Sequence, residues 1–204
     1  MLIFPFMRII AGKYRSRILK SLNGLALRPT SDRLRETLFN VLGPAVAGSR
    51  FLDIFAGTGA VGIEALSRSA ADVTFIENHA PAAKLIRQNL DSLKITAGYT
   101  ILAADALTAL QKLAARHTPS TRPFDFIFVD PPYAAHADYT RTLDFLATAN
   151  FLAPAAVVIF EHHHKFQLPE HAGPLTRFRL LKQGDASLSF YRSSLIVPSP
   201  ETLC

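Results

Sequence analysis

Apolar residues recur along the chain at two alternating spacings, which predict the secondary-structure elements and their order. Short runs rich in β-branched and aromatic side chains predict strands near 50–55, 72–77, 99–103, 124–130 and 155–161. Helical spacing between these runs predicts helices near 60–69, 80–93, 105–116 and 138–148. Strand followed by helix, repeated four times, indicates right-handed crossovers and a mostly parallel, Rossmann-like α/β sheet with helices on both faces.

The N-terminal part of the chain departs from this rhythm. Residues 7–20 alternate enough for one or two short strands around Gly12, so we expect a small β-hairpin there. Thr30 or Ser31 is placed to cap a helix, because apolar residues follow at helical spacing until Gly43 and the proline after it end the pattern.

The C-terminal part predicts a hairpin instead of a further crossover. Residues 175–182 and 186–192 are typical of two strands joined around Gly184 and Asp185. Such a hairpin would place an antiparallel strand at the edge of the sheet. We therefore expect a basic N-terminal extension over 1–29, one α/β domain over 30–192 and a flexible tail over 193–204.

Composition indicates a single globular domain. The 204 residues are 49% hydrophobic and include 15 phenylalanines, enough to bury one sizeable core, which excludes a disordered or fibrous protein. Cys204 is the only cysteine, so the sequence offers neither a disulfide framework nor a thiolate zinc site. The apolar stretch 1–6 is too short to span a membrane and lacks the features of a secretory leader. A cytoplasmic protein is the expectation.

Positive charge is concentrated near the N-terminus. The formal net charge is +6, and residues 8–35 hold eight basic residues against Asp32 alone, which leaves 14 basic and 15 acidic residues elsewhere. Such one-sided placement is the footprint expected of phosphate contacts, although a solvated basic hairpin would show it too. The residues assigned to this nucleic-acid grip are Arg8, Lys13, Arg15, Arg17 and Lys20.

A glycine-rich turn follows the first strand of the α/β pattern. Residues 57–62 satisfy the spacing GxGxxG, directly after the apolar run that ends at Phe55. Glycines let the backbone turn sharply and let a cofactor lie against it, while the next helix offers its N-terminal amides. An ordinary tight turn between strand and helix can show the same spacing, so the motif alone is weak.

Acidic residues occur at three of the predicted strand ends, where open α/β sheets bind ligands. Glu77 follows the glycine-rich turn by about 20 residues and is placed to accept hydrogen bonds from the ribose hydroxyls of an adenosine cofactor. Asp105 could receive the adenine amino group or could simply cap the following helix. Asp53, just before the turn, suits the cationic amino acid end of S-adenosylmethionine and would repel the pyrophosphate of a nicotinamide cofactor.

The segment Asp130-Pro131-Pro132-Tyr133 ends the fourth strand. Asp130 and Pro131 each precede a proline and are held extended, and the prolines bring no N–H group. The Asp130 carboxylate and the Pro131 carbonyl can therefore present two rigid acceptors to an exocyclic NH2 group and orient it for methyl transfer. Tyr133 offers a flat face on which the base can stack. A rigid strand terminator is the alternative interpretation.

Several segments together carry a family resemblance. The pattern D-x-F-A-G-T-G-A-x-G, the D-P-P-Y loop and the N-terminal RPTSDRLRETLFNVL resemble the bacterial small-subunit ribosomal RNA guanine-N2 methyltransferases, which have the seven-stranded S-adenosylmethionine-dependent methyltransferase fold. The similarity runs from Met7 to Arg192 and includes MRIIAGKYRSR and KQGDASLSFYR. The glycine motif is shared by many methyltransferases, and RPTSDRLRET is the most discriminating segment.

The resemblance implies a reaction and a set of site residues. It implies methyl transfer from S-adenosylmethionine to the N2 amine of a guanine in 16S ribosomal RNA, free or within the small subunit, by a monomer. The flipped guanine would be held by Asp130 to Tyr133, and an arginine at 28 could pair with the methionine carboxylate. The expected cofactor-binding residues are Arg28, Thr30, Asp53, Phe55, Ala56, Gly57, Thr58, Gly59, Glu77, Asn78, Asp105 and Ala106.

Other chemistries fit parts of the pattern. An adenine-N6 methyltransferase of DNA or RNA also uses a proline-tyrosine loop, but the sequence shows no separate DNA-reading domain. A nicotinamide-dependent oxidoreductase would lack a substrate domain, and a non-catalytic RNA-binding module would leave the loop without a role. The run Glu161–Lys165, EHHHK, looks like a metal tract; because neighbours on an extended chain point to opposite sides, we expect a solvated or RNA-facing loop and no metal site.

Overall fold

The computed structural model describes residues 7–21 and 31–194. Within them, the helices are α1 (Asp32–Leu42), α2 (Ala60–Ser67), α3 (Ala80–Ser92), α4 (Ala106–Arg116) and α5 (His136–Ala147). The strands are β1 (Arg50–Ile54), β2 (Asp72–Ile76), β3 (Tyr99–Leu102), β4 (Phe124–Val129), β5 (Leu152–His163), β6 (His171–Ala172), β7 (Leu175–Gln183) and β8 (Ala186–Ser193). None of the helices in these two stretches is long and apolar enough to cross a membrane.

The boundaries of α1 follow the predicted signals. The Ser31 hydroxyl caps the helix by accepting a hydrogen bond from the Leu34 amide at 3.2 Å. Gly43 ends it with a positive φ, and a single 3₁₀ turn over Gly43–Val46 follows. Of the two predicted caps, Ser31 is the one in place, and Thr30 lies outside the described residues.

The strands form one sheet in the order β3-β2-β1-β4-β5-β8-β7-β6, which confirms the predicted α/β class. Strands β1 to β5 are parallel, whereas β8 runs antiparallel to both β5 and β7. Two details differ from prediction: the two-residue β6 adds an eighth strand, and β8 lies inside the sheet instead of at its edge. β8 is buried along most of its length, whereas β7 carries the exposed Phe178 and Arg179, which accounts for the interior position of β8.

Side chains alternate between two hydrophobic layers, one on each face of the sheet. Phe51 and Phe126 belong to the layer covered by α1, α2 and α3. Leu52 and Ile127 belong to the layer covered by α4 and α5. Both faces of the parallel strands are therefore covered, so only strand ends and loops present polar groups to a ligand.

Residues 7–20 form a turn-rich segment in which the predicted hairpin is reduced to one short antiparallel pairing, with the Leu19 amide donating to the Met7 carbonyl at 2.8 Å and the Ile9 amide donating to the Arg17 carbonyl at 2.9 Å. The segment has an isolated antiparallel bridge between Arg8 and Ile18 and no strand. Beyond this pairing, the consecutive amides of Ile10 and Ala11 donate to the Glu64 side chain of α2, at 2.8 and 3.0 Å. Met7 and Ile9 are buried in the α1–α3 layer, so the segment shares the core of the domain.

Candidate active site

The carboxyl ends of the parallel strands bring the predicted site residues to one edge of the sheet. β1 lies between β2 and β4, so the turn after β1 adjoins the loop after β4. Ile54 pairs with Val129, and the Asp130 amide donates a hydrogen bond to the Ile54 carbonyl at 3.2 Å. The strand order reverses between β1 and β4, which is where open α/β sheets bind ligands.

The glycine-rich turn after β1 is open on its outer side. Backbone φ is +62° at Phe55, +54° at Gly57 and +77° at Gly59. A Cβ added at Gly57 would meet nothing within 4 Å, so a ligand can approach the backbone there. A Cβ at Gly62 would lie 2.3 Å from the Phe75 ring. The first glycines therefore shape an open turn, and Gly62 allows α2 to pack closely on β2.

Asp53 lies beneath this turn and does not face the open space. Its side chain is buried, and Oδ2 accepts a hydrogen bond from the Gly62 amide at 2.8 Å. Burial raises the pKa of Asp53 to about 8; the Gly62 hydrogen bond opposes this shift, and the charge of Glu77 adds to it. Asp53 thus ties β1 to α2, and its burial favours the protonated, uncharged form of the side chain. Its predicted pairing with a cationic ligand stays a prediction.

Glu77 follows β2 and holds the glycine-rich turn from the other side. Its Oε2 accepts a hydrogen bond from the Gly57 amide at 2.7 Å, and Oε1 accepts one from the His79 amide at 2.8 Å. Each carboxylate oxygen keeps a further lone pair, so the group can still accept from ligand hydroxyls beside the open turn. Asn78, next to it, is exposed.

Asp105 caps α4, which is one of its two predicted roles. Its Oδ2 accepts a hydrogen bond from the Thr108 amide at 3.2 Å, and the residue is exposed at the same edge of the sheet. Ala106 begins the helix and is buried. The contact with adenine stays a prediction.

The loop after β4 is held by a tyrosine that the sequence did not single out. The Tyr139 hydroxyl, from α5, donates a hydrogen bond to the Pro131 carbonyl at 3.0 Å, and Tyr139 is 0% exposed. Burial raises the pKa of Tyr139, and the nearby Asp130 raises it further, so the hydroxyl stays protonated as a donor. Tyr139 therefore orients one of the two acceptors predicted for the target amine, and the carbonyl keeps a second lone pair.

The remaining loop residues are partly accessible. Asp130 and Tyr133 are half-buried, and Pro132 is exposed. The Tyr133 ring meets His163 edge-on, with ring centroids 5.6 Å apart and planes at 73°. This contact fixes the tilt of the ring that we expect to stack on a base.

A buried asparagine links the glycine-rich turn to the N-terminal segment. Asn89, on α3, is 0% exposed; its Oδ1 accepts from the Lys20 amide at 2.8 Å. Its Nδ2 donates to the carbonyls of Lys20 at 3.2 Å and Thr58 at 3.1 Å. One side chain thus joins the end of the basic segment to the turn, a role that no spacing in the sequence shows.

The predicted RNA-binding cations surround this anchored backbone. Ser67 holds the segment by accepting a hydrogen bond from the Tyr14 amide at 3.0 Å and donating one to the Ala11 carbonyl at 2.5 Å. The exposed cations are Arg8, Lys13, Arg15, Arg17 and Lys20. Arg8 also pairs with Asp32 at 3.4 Å. Arg28, predicted to meet the methionine carboxylate, lies outside the described residues.

The histidine run continues β5, so the predicted loop is wrong at its start. His162 is buried, its Nε2 lies 2.9 Å from the Ser189 hydroxyl, and burial lowers its pKa. One imidazole nitrogen of His163, one of His164 and one carboxylate oxygen of Asp185 all lie within 4.8 Å of one another, close enough to be ligands of one metal ion. Asp185, in the turn between β7 and β8, is therefore a third possible metal ligand, distant in sequence, that the sequence pattern did not reveal. The expectation of no metal stays a prediction.

Comparisons with known proteins show the family to which the chain belongs. The family model described as "Conserved hypothetical protein 95" matches residues 7–192. Ribosomal RNA small subunit methyltransferase D of Haemophilus influenzae is 37% identical over 190 residues, covering 91% of each chain. The protein of the same name from Escherichia coli is 38% identical over 162 residues, covering 79% of this chain and 77% of its own. The chain belongs to the methyltransferase D family.

Solved structures extend the agreement to the fold. A candidate methyltransferase from Escherichia coli has a TM-score of 0.77 at 34% identity, covering 91% of this chain and 97% of its own. A hypothetical protein from Thermus thermophilus has a TM-score of 0.75 at 27% identity, covering 91% and 98%. The resemblance to the methyltransferase D family inferred from the sequence motifs is therefore confirmed.

Proposed function

We propose that the protein transfers a methyl group from S-adenosylmethionine to the exocyclic N2 amine of a guanine in 16S ribosomal RNA. The observation that supports the proposal is that Asp130 and Pro131 lie directly after β4, with the Pro131 carbonyl held by Tyr139, beside the open turn after β1. The names of the Haemophilus influenzae and Escherichia coli relatives support ribosomal RNA of the small subunit as the substrate.

The edge of the sheet fits S-adenosylmethionine, which supplies an electrophilic methyl group on a sulfonium. Glu77 would accept hydrogen bonds from the ribose hydroxyls, with Asn78 next to it. Asp105 and Ala106 would lie beside adenine. The backbone from Phe55 through Ala56, Gly57 and Thr58 to Gly59 would line the cofactor, with Asp53 supporting it from below. Arg28 and Thr30 are proposed for the methionine end.

The two proposed acceptors would make the target amine a better nucleophile. An aryl amine is a poor nucleophile because its lone pair is delocalised into the ring. Two fixed acceptors would hold both N–H groups, favour a pyramidal nitrogen and stabilise the positive charge that develops on it. The proton that the nitrogen loses would pass to the Asp130 carboxylate or to water. Pro132 stiffens the loop, and stacking on Tyr133 would contribute about 1 to 3 kcal/mol.

The exposed cations of residues 8–20 are proposed to bind phosphates of the RNA. Their backbone is fastened to α2 and α3 through Glu64, Ser67 and Asn89, so the grip and the acceptors belong to one rigid body. One chain supplies both, which supports action as a monomer. The cytoplasm is the proposed location, and the substrate is free RNA or an assembling small subunit.

The test offers S-adenosylmethionine with a labelled methyl group to small ribosomal subunits, free 16S ribosomal RNA and duplex DNA. We expect label in the small subunit or its RNA and none in DNA. Label in N6-methyladenine, or in DNA alone, would refute the guanine assignment and favour an adenine methyltransferase.

A further inference from the structure

We propose that a basic pocket between the N-terminal segment and the end of α3 binds a nucleotide of the RNA at a distance from the target guanine. The pocket has a volume of about 400 Å³ and is lined by Lys13, Tyr14, Arg17, Ser92, Leu93 and Lys94. This inference rests on the proposed function. The inference extends the proposed RNA-binding surface to Lys94, which lies in the turn after α3, far along the chain from the basic segment.

The charge and the volume of the pocket indicate which kind of ligand it binds. Lys13, Arg17 and Lys94 contribute three positive charges, and none of the described residues that line the pocket is acidic. The volume lies within the range of small-molecule sites. Phosphate groups of RNA are the ligands that such a cluster attracts, and each phosphate neutralised adds to the salt dependence of binding.

Tyr14 adds an aromatic surface to the cations. The Lys13 ammonium lies 5.4 Å from the centroid of the Tyr14 ring, and Tyr14 is half-buried. When this ammonium moves from the ring to a phosphate, the attached base can take its place over the ring. Bases stack on such rings without regard to sequence, so the pocket fits a phosphate with its attached base.

Both walls of the pocket have fixed backbones. On one side the Lys13 amide donates to the Ser67 carbonyl at 2.8 Å, and the Tyr14 amide donates to the Ser67 hydroxyl at 3.0 Å. On the other side Lys94 adopts φ +58°, and its amide donates to the Asp91 carbonyl at 2.9 Å. A site whose walls are already ordered loses less conformational entropy on binding.

The pocket lies at the end of α2 that is farther from the glycine-rich turn. Tyr14 is attached to Ser67, the last residue of α2, and α2 begins directly after the glycine-rich turn. Eight residues at about 1.5 Å each span about 12 Å. The length of α2 therefore separates the pocket from the glycine-rich turn, a span that corresponds to about three or four stacked nucleotides at 3.4 Å per step. A nucleotide held in the pocket is not the one that is methylated.

The experiment measures binding of free 16S ribosomal RNA across a range of salt concentrations, with methyl transfer measured in parallel. Lys94→Glu and Tyr14→Ala are compared with the control Lys112→Glu, an exposed charge reversal on α4 across the sheet. We expect each test variant to weaken binding roughly tenfold, Lys94→Glu to lower the salt slope by about one, and the control to bind like the wild type.

The outcomes separate this inference from the proposed function. If Lys94→Glu binds RNA like the wild type while reversal of Arg15 and Lys20, which lie outside the pocket, weakens binding, the pocket is not a nucleotide site and the proposed function stands. If Lys94→Glu weakens only binding to assembled subunits and not to free RNA, the pocket contacts ribosomal protein, and the inference is overturned. If the wild type neither binds nor methylates the RNA, the proposed function itself fails.

Discussion

The Tyr139 hydroxyl donates a 3.0 Å hydrogen bond to the Pro131 carbonyl and thereby connects the buried face of α5 to the loop after β4. Pro131 has no N–H group of its own, and its carbonyl is one of the two acceptors proposed for the target amine. The orientation of that carbonyl thus depends on a side chain eight positions along the chain in a different element.

Replacing Tyr139 by phenylalanine tests this dependence. The ring stays while the donor is lost, so we expect kcat to fall about tenfold, and the free energy of unfolding to fall by about 1 to 2 kcal/mol. Binding of S-adenosylhomocysteine should be unchanged. The matched control is Tyr191→Phe, because the Tyr191 hydroxyl donates to the Pro169 carbonyl at 2.7 Å away from the loop. The control should lose similar stability and keep kcat; equal kcat losses in both variants would contradict the account.

Asn89 provides a second test, because its side chain joins Lys20 to the Thr58 carbonyl. In Asn89→Leu both backbone partners lose their buried hydrogen bonds, so we expect weaker S-adenosylhomocysteine binding by calorimetry and faster proteolysis within residues 7–21. Gln88→Leu, an exposed change one position earlier on α3, is the control and should behave like the wild type. Unchanged ligand affinity in Asn89→Leu would show that the turn does not depend on this link.

The buried Asp53 predicts a pH dependence of stability. Because its pKa is raised from 3.8 to about 8, the folded state keeps a proton that the unfolded state releases across this window. The contribution of Asp53 to stability therefore falls as pH rises through the window, by at most about 1.4 kcal/mol per pH unit, and levels off above pH 8. Asp53→Asn keeps an acceptor oxygen for the Gly62 amide and should remove this slope.

Urea unfolding at pH 5, 6.5 and 8 measures this effect. The lowered pKa of His162 acts in the opposite direction, since its stabilising neutral form is lost below its usual titration range. Because His162 is present in both proteins, the difference between the wild type and Asp53→Asn isolates Asp53. Parallel stability profiles for the two proteins would show that Asp53 is ionised in the folded state.

Local signals predicted most of the fold. The helical pattern that stops at Gly43, the strand runs and the glycine-rich turn all depend on residues close in sequence, and the structure has them where expected. The acids at strand ends were also predictable, because parallel strands bring their carboxyl ends to one edge.

Contacts between distant residues account for what the sequence did not show. The hairpin predicted over 7–20 is limited to one short antiparallel pairing, because Glu64, more than 50 residues away, accepts hydrogen bonds from the next two amides, those of Ile10 and Ala11. The sequence alone predicts a polar loop residue at His162. In the structure β8 lies beside it, and the Ser189 hydroxyl is within hydrogen-bond distance of its ring. Tyr139 and Asn89 carry no motif, since their roles arise only from packing of α5 and α3.

Reversal of Arg15 and Arg17 to glutamate tests the proposed grip. Both side chains are exposed, and the backbone around them is held by hydrogen bonds that the substitutions leave in place. We expect affinity for 16S ribosomal RNA to fall and the slope of log K against log salt to become shallower by about two. Binding of S-adenosylhomocysteine should stay the same. RNA affinity equal to that of the wild type would place the grip elsewhere.

The central claim is that Asp130 helps to hold a guanine amine for methylation. The most direct measurement incubates the wild type and Asp130→Ala with small-subunit ribosomal RNA and S-adenosylmethionine, and identifies the methylated nucleoside by mass spectrometry. The account predicts N2-methylguanosine with the wild type, and none with Asp130→Ala despite nearly unchanged binding of S-adenosylhomocysteine. A different methylated nucleoside, or normal product formation by Asp130→Ala, would contradict it.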